Sequence, residues 1–417
     1  MSLSNDSILK LFKITDPNIQ ITQIYEERSV IKQQTRIVEV IEAQLTYPLD
    51  HCPNCGYPTL IKNGTRQVNA RLAPVNGGKY VLKLHKQRYL CKTCGTTCGA
   101  KSSNLFFNHT LTPAIHQAVM ELAKDSLTAT EIAKLLGISD ASVSRIINEH
   151  AQRPYRLKEL PTQLCFDEFR STSHHMSFIC CAALAHHLVT TLPGRLTTQI
   201  MDYFINRYSL TERQRVQSVV VDLNAQYCHF IKRIFPNAEI IIDRFHIIQL
   251  AGRALDQARI QAFQTISDHR SRLYRILKSY WRLFHQSQAA INDVKSVYLR
   301  GINEYMTQQN AIDLILSAFP RFAAVYATYQ TILTAIKQRN VNQLADLIDH
   351  YQHNRTSMDT VMNTLRKNRQ AILNACCYSN SNGPLEGINR KIKTLKRNCY
   401  GFRNLNNFFN RISLIQK

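Results

Sequence analysis

Four carboxylates in this sequence sit where acid or metal-ion chemistry could use them. Asp222 closes the apolar run VQSVVV (216–221), and Asp243 closes AEIII (238–242). Asp167 sits inside QLCFDEF (163–169), and Glu386 falls in the first turn of SNSNGPLEGINRKIKTLKR (379–397). An Asp ending a buried strand has a plain role as cap of the helix that follows. Three such acids, with a fourth on a cationic helix, ask for a further explanation. Like carboxylates brought together repel unless a cation neutralises them. Oxygen ligands suit Mg²⁺, and two such ions can flank an in-line phosphoryl displacement.

Four thiols suggest a second, separate chemistry. Cys52-Pro-Asn-Cys55 and Cys91-Lys-Thr-Cys94 each bring two sulfurs to one side of a tight turn. Two such turns make a closed tetrahedral zinc site whose role is structural. The stretch between them holds strand-like KYVLKL (79–84) and 87–90, as in a zinc ribbon, with Cys98 and His51 as spare ligands at the rim.

The elements that must position these groups follow from periodicity. Asn382, Gly383 and Pro384 start a helix. Leu385, Ile388, Ile392 and Leu395 form its apolar stripe, while Glu386, Arg390, Lys393 and Arg397 share the opposite face. After Glu386 the chain has eight Lys or Arg and no acid. Gly387, costly inside a helix, reads as a close approach of another backbone. Upstream, 163–169, 176–184, 187–192, 216–221 and 238–242 read as strands, and 197–208 and 224–235 as helices. Strand–helix–strand crossovers make parallel neighbours whose carboxyl ends share one edge. Asp222 and Asp243 then lie together, and Asp167 joins them if its strand is central. Glu168 points to the other face.

The stretch from Asp243 to Glu386 reads as helix throughout, over 249–265, 269–285, 291–308, 311–338, 342–350 and 358–374. It is too long for a loop and is expected to be an inserted all-helical domain. Trp281 and Arg282 lie in it, although an aromatic in a helical stripe belongs more often to a core. Toward the N-terminus, Thr112-Pro113 starts a helix. Thr128-x-x-Glu131 is a capping box, Gly137 stops the second helix and Ser139 caps a third, together a helix-turn-helix pattern. The third helix offers Asp140, Ser142, Ser144, Arg145 and Asn148 to a groove. Residues 30–45 read as strand or helix.

Composition agrees with a polyanionic partner. Among 417 residues, 52 Lys and Arg face 29 Asp and Glu, a formal charge of +23. A hydrophobic fraction of 44% is that of an ordinary globular protein. Twelve Cys with paired knuckles fit a reducing compartment. No apolar run reaches membrane length, and MSLSNDSILKLFKITD is not a signal peptide.

Taken together, CPNC…CKTC, the helix-turn-helix, FDEF, VVVDLNAQY, FPNAEIIIDRFH and SNGPLEGINRKIKTLKRNCYGFRN resemble one family across nearly the whole chain. It is the zinc-knuckle-bearing ISL group of bacterial insertion-sequence transposases of the DDE type. The resemblance implies a multidomain α/β chain: a zinc ribbon and helix-turn-helix, then an RNase H-like core interrupted by the helical insertion. The boundaries expected are an N-terminal segment 1–45, zinc domain 46–104, helix-turn-helix 105–155, core 160–248, insertion 249–374 and core completion 375–417. By the family pattern Asp167 is the first acid, Asp222 the second and Glu386 the glutamate. Asp243 is a supporting residue or takes the place of Asp222.

The function the resemblance implies is cleavage at terminal inverted repeats to expose 3′-hydroxyls, then joining to target DNA. Asp167, Asp222 and Glu386 would hold two Mg²⁺, with Mn²⁺ as a substitute, and Cys52, Cys55, Cys91 and Cys94 would hold Zn²⁺. Arg390, Lys393, Lys396 and Arg397 would grip phosphates, while Ser142, Ser144, Arg145 and Asn148 would meet the DNA ends. The expected setting is the bacterial cytoplasm, at the nucleoid, with at least a dimer on DNA. The alternatives are a catalytically silent zinc and helix-turn-helix regulator and a metal nuclease without strand transfer. A Ser or Tyr recombinase is weaker, because no single nucleophile stands out among 18 Tyr.

Overall fold

The computed structural model describes residues 5–31, 34–102, 110–151, 157–172, 175–223 and 225–415. These divide into two compact units, 1–153 with 391–417 and 154–390. The first unit opens with α1 (Asn5–Leu11) and five strands: β1 (Ile19–Ile31), β2 (Gln34–Leu45), β3 (Leu60–Arg71), β4 (Tyr80–Cys91) and β5 (Thr97–Gly99). Their order is β1-β2-β4-β3, with β5 on β4. Residues 30–31 and 34–45 are thus strand, and 32–33 lie outside the described residues. Ile41, Ala43 and Leu45, two apart, turn into one core with Leu82 and Leu84. Three helices follow: α2 (Pro113–Lys124), α3 (Ala129–Leu136) and α4 (Asp140–His150). The Thr128–Glu131 capping box forms, Gly137 ends α3 at φ +67°, and the Ser139 hydroxyl caps α4. Val119, Ile132, Val143 and Ile146 make the helix-turn-helix core.

The second unit is built on a sheet of β6 (Gln163–Arg170), β7 (Met176–Ala182), β8 (Leu188–Leu192), β9 (Ser218–Val221) and β10 (Glu239–Ile242). The order is β10-β9-β6-β7-β8. Strands β6, β9 and β10 run parallel, while β7 and β8 are antiparallel. This is the order of an RNase H-like sheet, and it makes β6 central. Helices α5 (Thr197–Arg207), α6 (Leu210–Gln214) and α7 (Ala225–Ile234) complete this part. Residue 224, expected to start α7, lies outside the described residues. Phe166 packs edge-on to Phe178 at 4.9 Å and against Phe204 and Phe235. One face of β6 is therefore core, and the alternate face is left to Cys165 and Asp167.

The insertion contains α8 (Arg244–Gln264), α9 (Arg272–Ser279), α10 (Trp281–His285), α11 (Gln308–Ala318), α12 (Pro320–Gln338), α13 (Val341–His350), α14 (Ser357–Lys367) and α15 (Arg369–Cys377). It departs from expectation in three ways. The stretches 269–285, 311–338 and 358–374 are each two helices, parted at Tyr280, Phe319 and Asn368. Helix α8 starts directly after Asp243, ahead of residue 249. The stretch 291–308 is not a helix: it carries an antiparallel hairpin, β11 (Val297–Leu299) and β12 (Glu304–Met306). Its apolar residues are spaced much as in a helix, and Asn303 takes the turn at φ +60°.

Two helices close the chain, α16 (Gly383–Asn398) and α17 (Leu405–Ile415). The expected last part of the core, 375–417, is divided between the two units. Residues 391–417 cluster with the first unit. There α17 packs on α2 and α4 and sends Leu414 into the helix-turn-helix core. Buried Arg411 donates to the carbonyls of Ala123 and Leu127. Among the described residues no helix is long and apolar enough to cross a membrane.

Candidate active site

The register of the central sheet sets three acids in a row. Cys165 pairs with Val220, and Val221 with Ile242. Two residues further along β6, one beyond β9 and one beyond β10 lie Asp167, Asp222 and Asp243, at one level of the carboxyl edge. Glu168 takes the other face, where it meets Arg195 at 2.6 Å and the Tyr227 hydroxyl at 3.1 Å.

Each Asp in the row has distinct partners. The Asp167 carboxylate accepts from its neighbour's backbone N–H (Glu168) at 2.7 Å and from the Asn389 amide at 2.6 Å. Burial, and then the charge of Asp222, push its pKa up to about 7. Asp222 meets His246 Nε2 at 2.9 Å and the Asn382 amide at 3.1 Å. The hydrogen bond to Asp222 holds the His246 pKa above the ordinary imidazole range. Asp243 occupies the N-cap position of α8, yet its carboxylate makes no cap there. It accepts instead from the Asn382 backbone N–H at 3.1 Å, at the start of α16. The plain capping role thus fails for α8.

Helix α16 has the expected two faces. Leu385, Ile388, Ile392 and Leu395 are buried, while Glu386, Arg390, Lys393 and Arg397 are exposed. Gly387 marks no close approach, because a Cβ there would meet nothing within 4 Å. The Glu386 carboxylate does not close a cluster with Asp167 and Asp222. It bonds Arg390 at 2.6 Å, with both side chains mostly in solvent. The acids would suit a divalent cation, since Asp167 lies near enough to Asp222 for that charge to raise its pKa, a repulsion a cation would neutralise. Asn382, Asn389 and His246 were not singled out from sequence as site residues. For two of them the signal was one helical turn: His246 follows Asp243 by three residues, and Asn389 follows Glu386 by three.

The zinc ligands converge. Among the described residues Cys52, Cys55, Cys91 and Cys94 are the one group of three or more candidate ligands, with donor atoms all within 4.8 Å of one another. Sγ of Cys52 is 3.7 Å from that of Cys94, and Cys55 is 3.6 Å from Cys91. Tetrahedral Zn–S bonds of 2.3 Å require sulfurs about 3.8 Å apart. The two turns repeat one another. Cys52 N–H donates to Tyr57 O and Gly56 N–H to Cys52 O, as Cys91 does to Thr96 and Gly95 to Cys91. Gly56 and Gly95 take φ of +73° and +68°, which a side chain would strain. Cys98 is half-buried on β5, and burial raises its pKa. His51 is exposed.

On α4, Ser142 is bound into the Ser139 cap, Arg145 lies 3.8 Å from Glu149, and Asn148 accepts from Asn410 at 2.9 Å. Ser144 and Asn148 line a cavity of about 520 Å³ with Tyr400 and Phe402. Part of the face expected to meet DNA is therefore shared with the C-terminal segment.

Three family models cover this chain. A transposase model for the ISL3 DDE domain matches residues 164–412. The zinc-finger model of transposases IS204/IS1001/IS1096/IS1165 matches 48–94, and the helix-turn-helix model of transposase family ISL3 matches 108–151. The chain belongs to the ISL3 transposase family. Among curated relatives, the transposase for insertion sequence element IS1001 of Bordetella parapertussis is 23% identical over 371 residues, 87% of each chain. A Lactococcus lactis subsp. lactis protein named ATP-dependent protease is 34% identical over 123 residues, 30% of this chain and 40% of that one. The ISL3 match spans both Asp167 and Glu386, on either side of the insertion, and the zinc-finger match ends on Cys94.

Proposed function

We propose that this chain is a DNA transposase that binds the terminal inverted repeats of an insertion sequence, cuts there to expose 3′-hydroxyls and joins them to target DNA. The observation that carries the reading is the acid row, in which half-buried Asp167 lies beside Asp222 with its pKa pushed up to about 7. Asp167 and Asp222 would hold Mg²⁺, or Mn²⁺, with Glu386 as third ligand. The ions supply charge neutralisation and an activated attacking oxygen. Asp243 holds the start of α16 by its bond to the Asn382 N–H. That bond supports a bracing role for Asp243 and favours Asp222 as the second acid.

Glu386 must leave Arg390 to join. An exposed i,i+4 pair is worth only about 0.3–0.5 kcal/mol, so that exchange costs little. The freed Arg390, with Lys393, Lys396 and Arg397, binds phosphate oxygens. Ser144 and Arg145 on α4 meet the ends, zinc at the four cysteines holds the ribbon, and two transposon ends call for at least a dimer on DNA.

The Glu386–Arg390 pair also favours a second reading, a regulator that binds ends without cutting. The test is incubation of the protein with labelled end DNA, target DNA and Mg²⁺. Joined products are expected. Binding without cleavage supports the regulator, and cleavage without joining supports a nuclease.

A further inference from the structure

Two asparagines stand between α16 and the acid row. Asn382 is 7% exposed. Its amide donates to Asp222 Oδ1 at 3.1 Å and to the Phe166 carbonyl at 3.3 Å, and its backbone N–H donates to Asp243 at 3.1 Å. Asn389, two turns on, donates to Asp167 Oδ2 at 2.6 Å. One residue thus touches two acids and the other touches the third, with Glu386 between them in sequence.

The other end of each amide is unused. Oδ1 of Asn382 and Oδ1 of Asn389 are both buried and, among the described residues, without a hydrogen-bond partner. Reversing either amide would set oxygen against carboxylate oxygen, so the orientation is fixed by the acids. A clamp that served only to dock the helix would leave no reason for two idle acceptors beside two carboxylates. Mg²⁺ keeps several of its waters, and those waters are strong donors that need acceptors around the site.

We propose that Asn389 and Asn382 are positioning residues for the divalent cation. Their NH₂ groups hold the Asp167 and Asp222 carboxylates in place, and their free carbonyl oxygens accept hydrogen bonds from the ion's water shell. This rests on the reading that Asp167 and Asp222 bind the ion.

The test uses zinc-loaded full-length protein without DNA and Mn²⁺ as probe, counting free Mn²⁺ by electron paramagnetic resonance. Asn389→Ala should weaken Mn²⁺ binding by about 10- to 100-fold, the range seen when an outer-shell partner is lost. Its zinc content, melting temperature without Mn²⁺ and DNA-end binding should stay those of wild type. Asn382→Ala should act in the same direction. Because Asn382 is buried, that variant counts only if it melts cooperatively, and Asn389→Ala decides on its own. Mn²⁺ affinity of Asn389→Ala within twofold of wild type overturns the proposal. Asp167→Asn is the control. If it binds Mn²⁺ like wild type, or wild type binds none, the carboxylate assignment itself fails and takes the proposal with it.

Discussion

At Asp167, burial and the charge of Asp222 act in the same direction, and the consequence is measurable. Folded, this carboxyl keeps its proton up to about pH 7, against an ordinary value of 3.8. The folded state therefore binds more protons than the unfolded one between those values. Stability from this group is full below about pH 4 and is lost as pH rises through about 7. His246, raised by its bond to Asp222, adds a loss in the same direction as pH rises above the imidazole range. Metal-free Asp167→Asn should thus melt higher than wild type at pH 8, by on the order of a few degrees, with the gap closing toward pH 4. Mg²⁺ should raise the melting temperature of wild type at pH 8 and leave the variant unchanged. A gap that persists at pH 4 would assign the effect to packing. Asp222 and Asp243 stood out in sequence because each closes an apolar run, and Asp167 because it interrupts one. Their partners did not. Spacing alone put Asn389 one turn from Glu386, and the roles of Asn382 and Asn389 depend on which carboxylate the fold brings beside each.

The elements differ in how far local sequence determines them. The zinc turns were fully legible, since Cys-x-x-Cys-Gly encodes both the ligands and the positive φ that closes the turn. Cys55→Ser should lower zinc from one ion per chain toward none and weaken DNA-end binding; a variant retaining full zinc would move the ligand set. The helix-turn-helix was legible too, from its caps and Gly137. The hairpin at 297–306 was not, because Ile291, Val294, Tyr298, Ile302 and Tyr305 recur at helical intervals of 3, 4, 4 and 3 and tertiary context decides. Nor was the partner of α17, because amphipathicity gives a buried face but not what buries it. Leu414, 2% exposed among α2, α3 and α4 residues, tests that packing. Leu414→Ala should destabilise the first unit by about 2–5 kcal/mol in urea unfolding and reduce end binding while zinc stays bound. An unchanged unfolding midpoint would mean that α17 does not support the helix-turn-helix.

At the scale of the molecule, the charge of +23 makes nucleic acid the natural partner and makes its affinity salt-dependent. Lys393, exposed on α16, should contribute one phosphate contact. Lys393→Ala should weaken binding to any sequence and make the slope of log K against log salt shallower by about 0.9. An unchanged slope would put the grip elsewhere. The central claim is that Asp167 and Asp222 share a cation while Asp243 supports α16. The direct test is cleavage and joining of labelled end DNA in Mg²⁺ by wild type, Asp222→Asn and Asp243→Asn, all with matched end binding. The account predicts that wild type cuts and joins, that Asp222→Asn does neither, and that Asp243→Asn keeps a reduced activity. Loss of activity only in Asp243→Asn, or equal activity in Asp222→Asn and wild type, would contradict it.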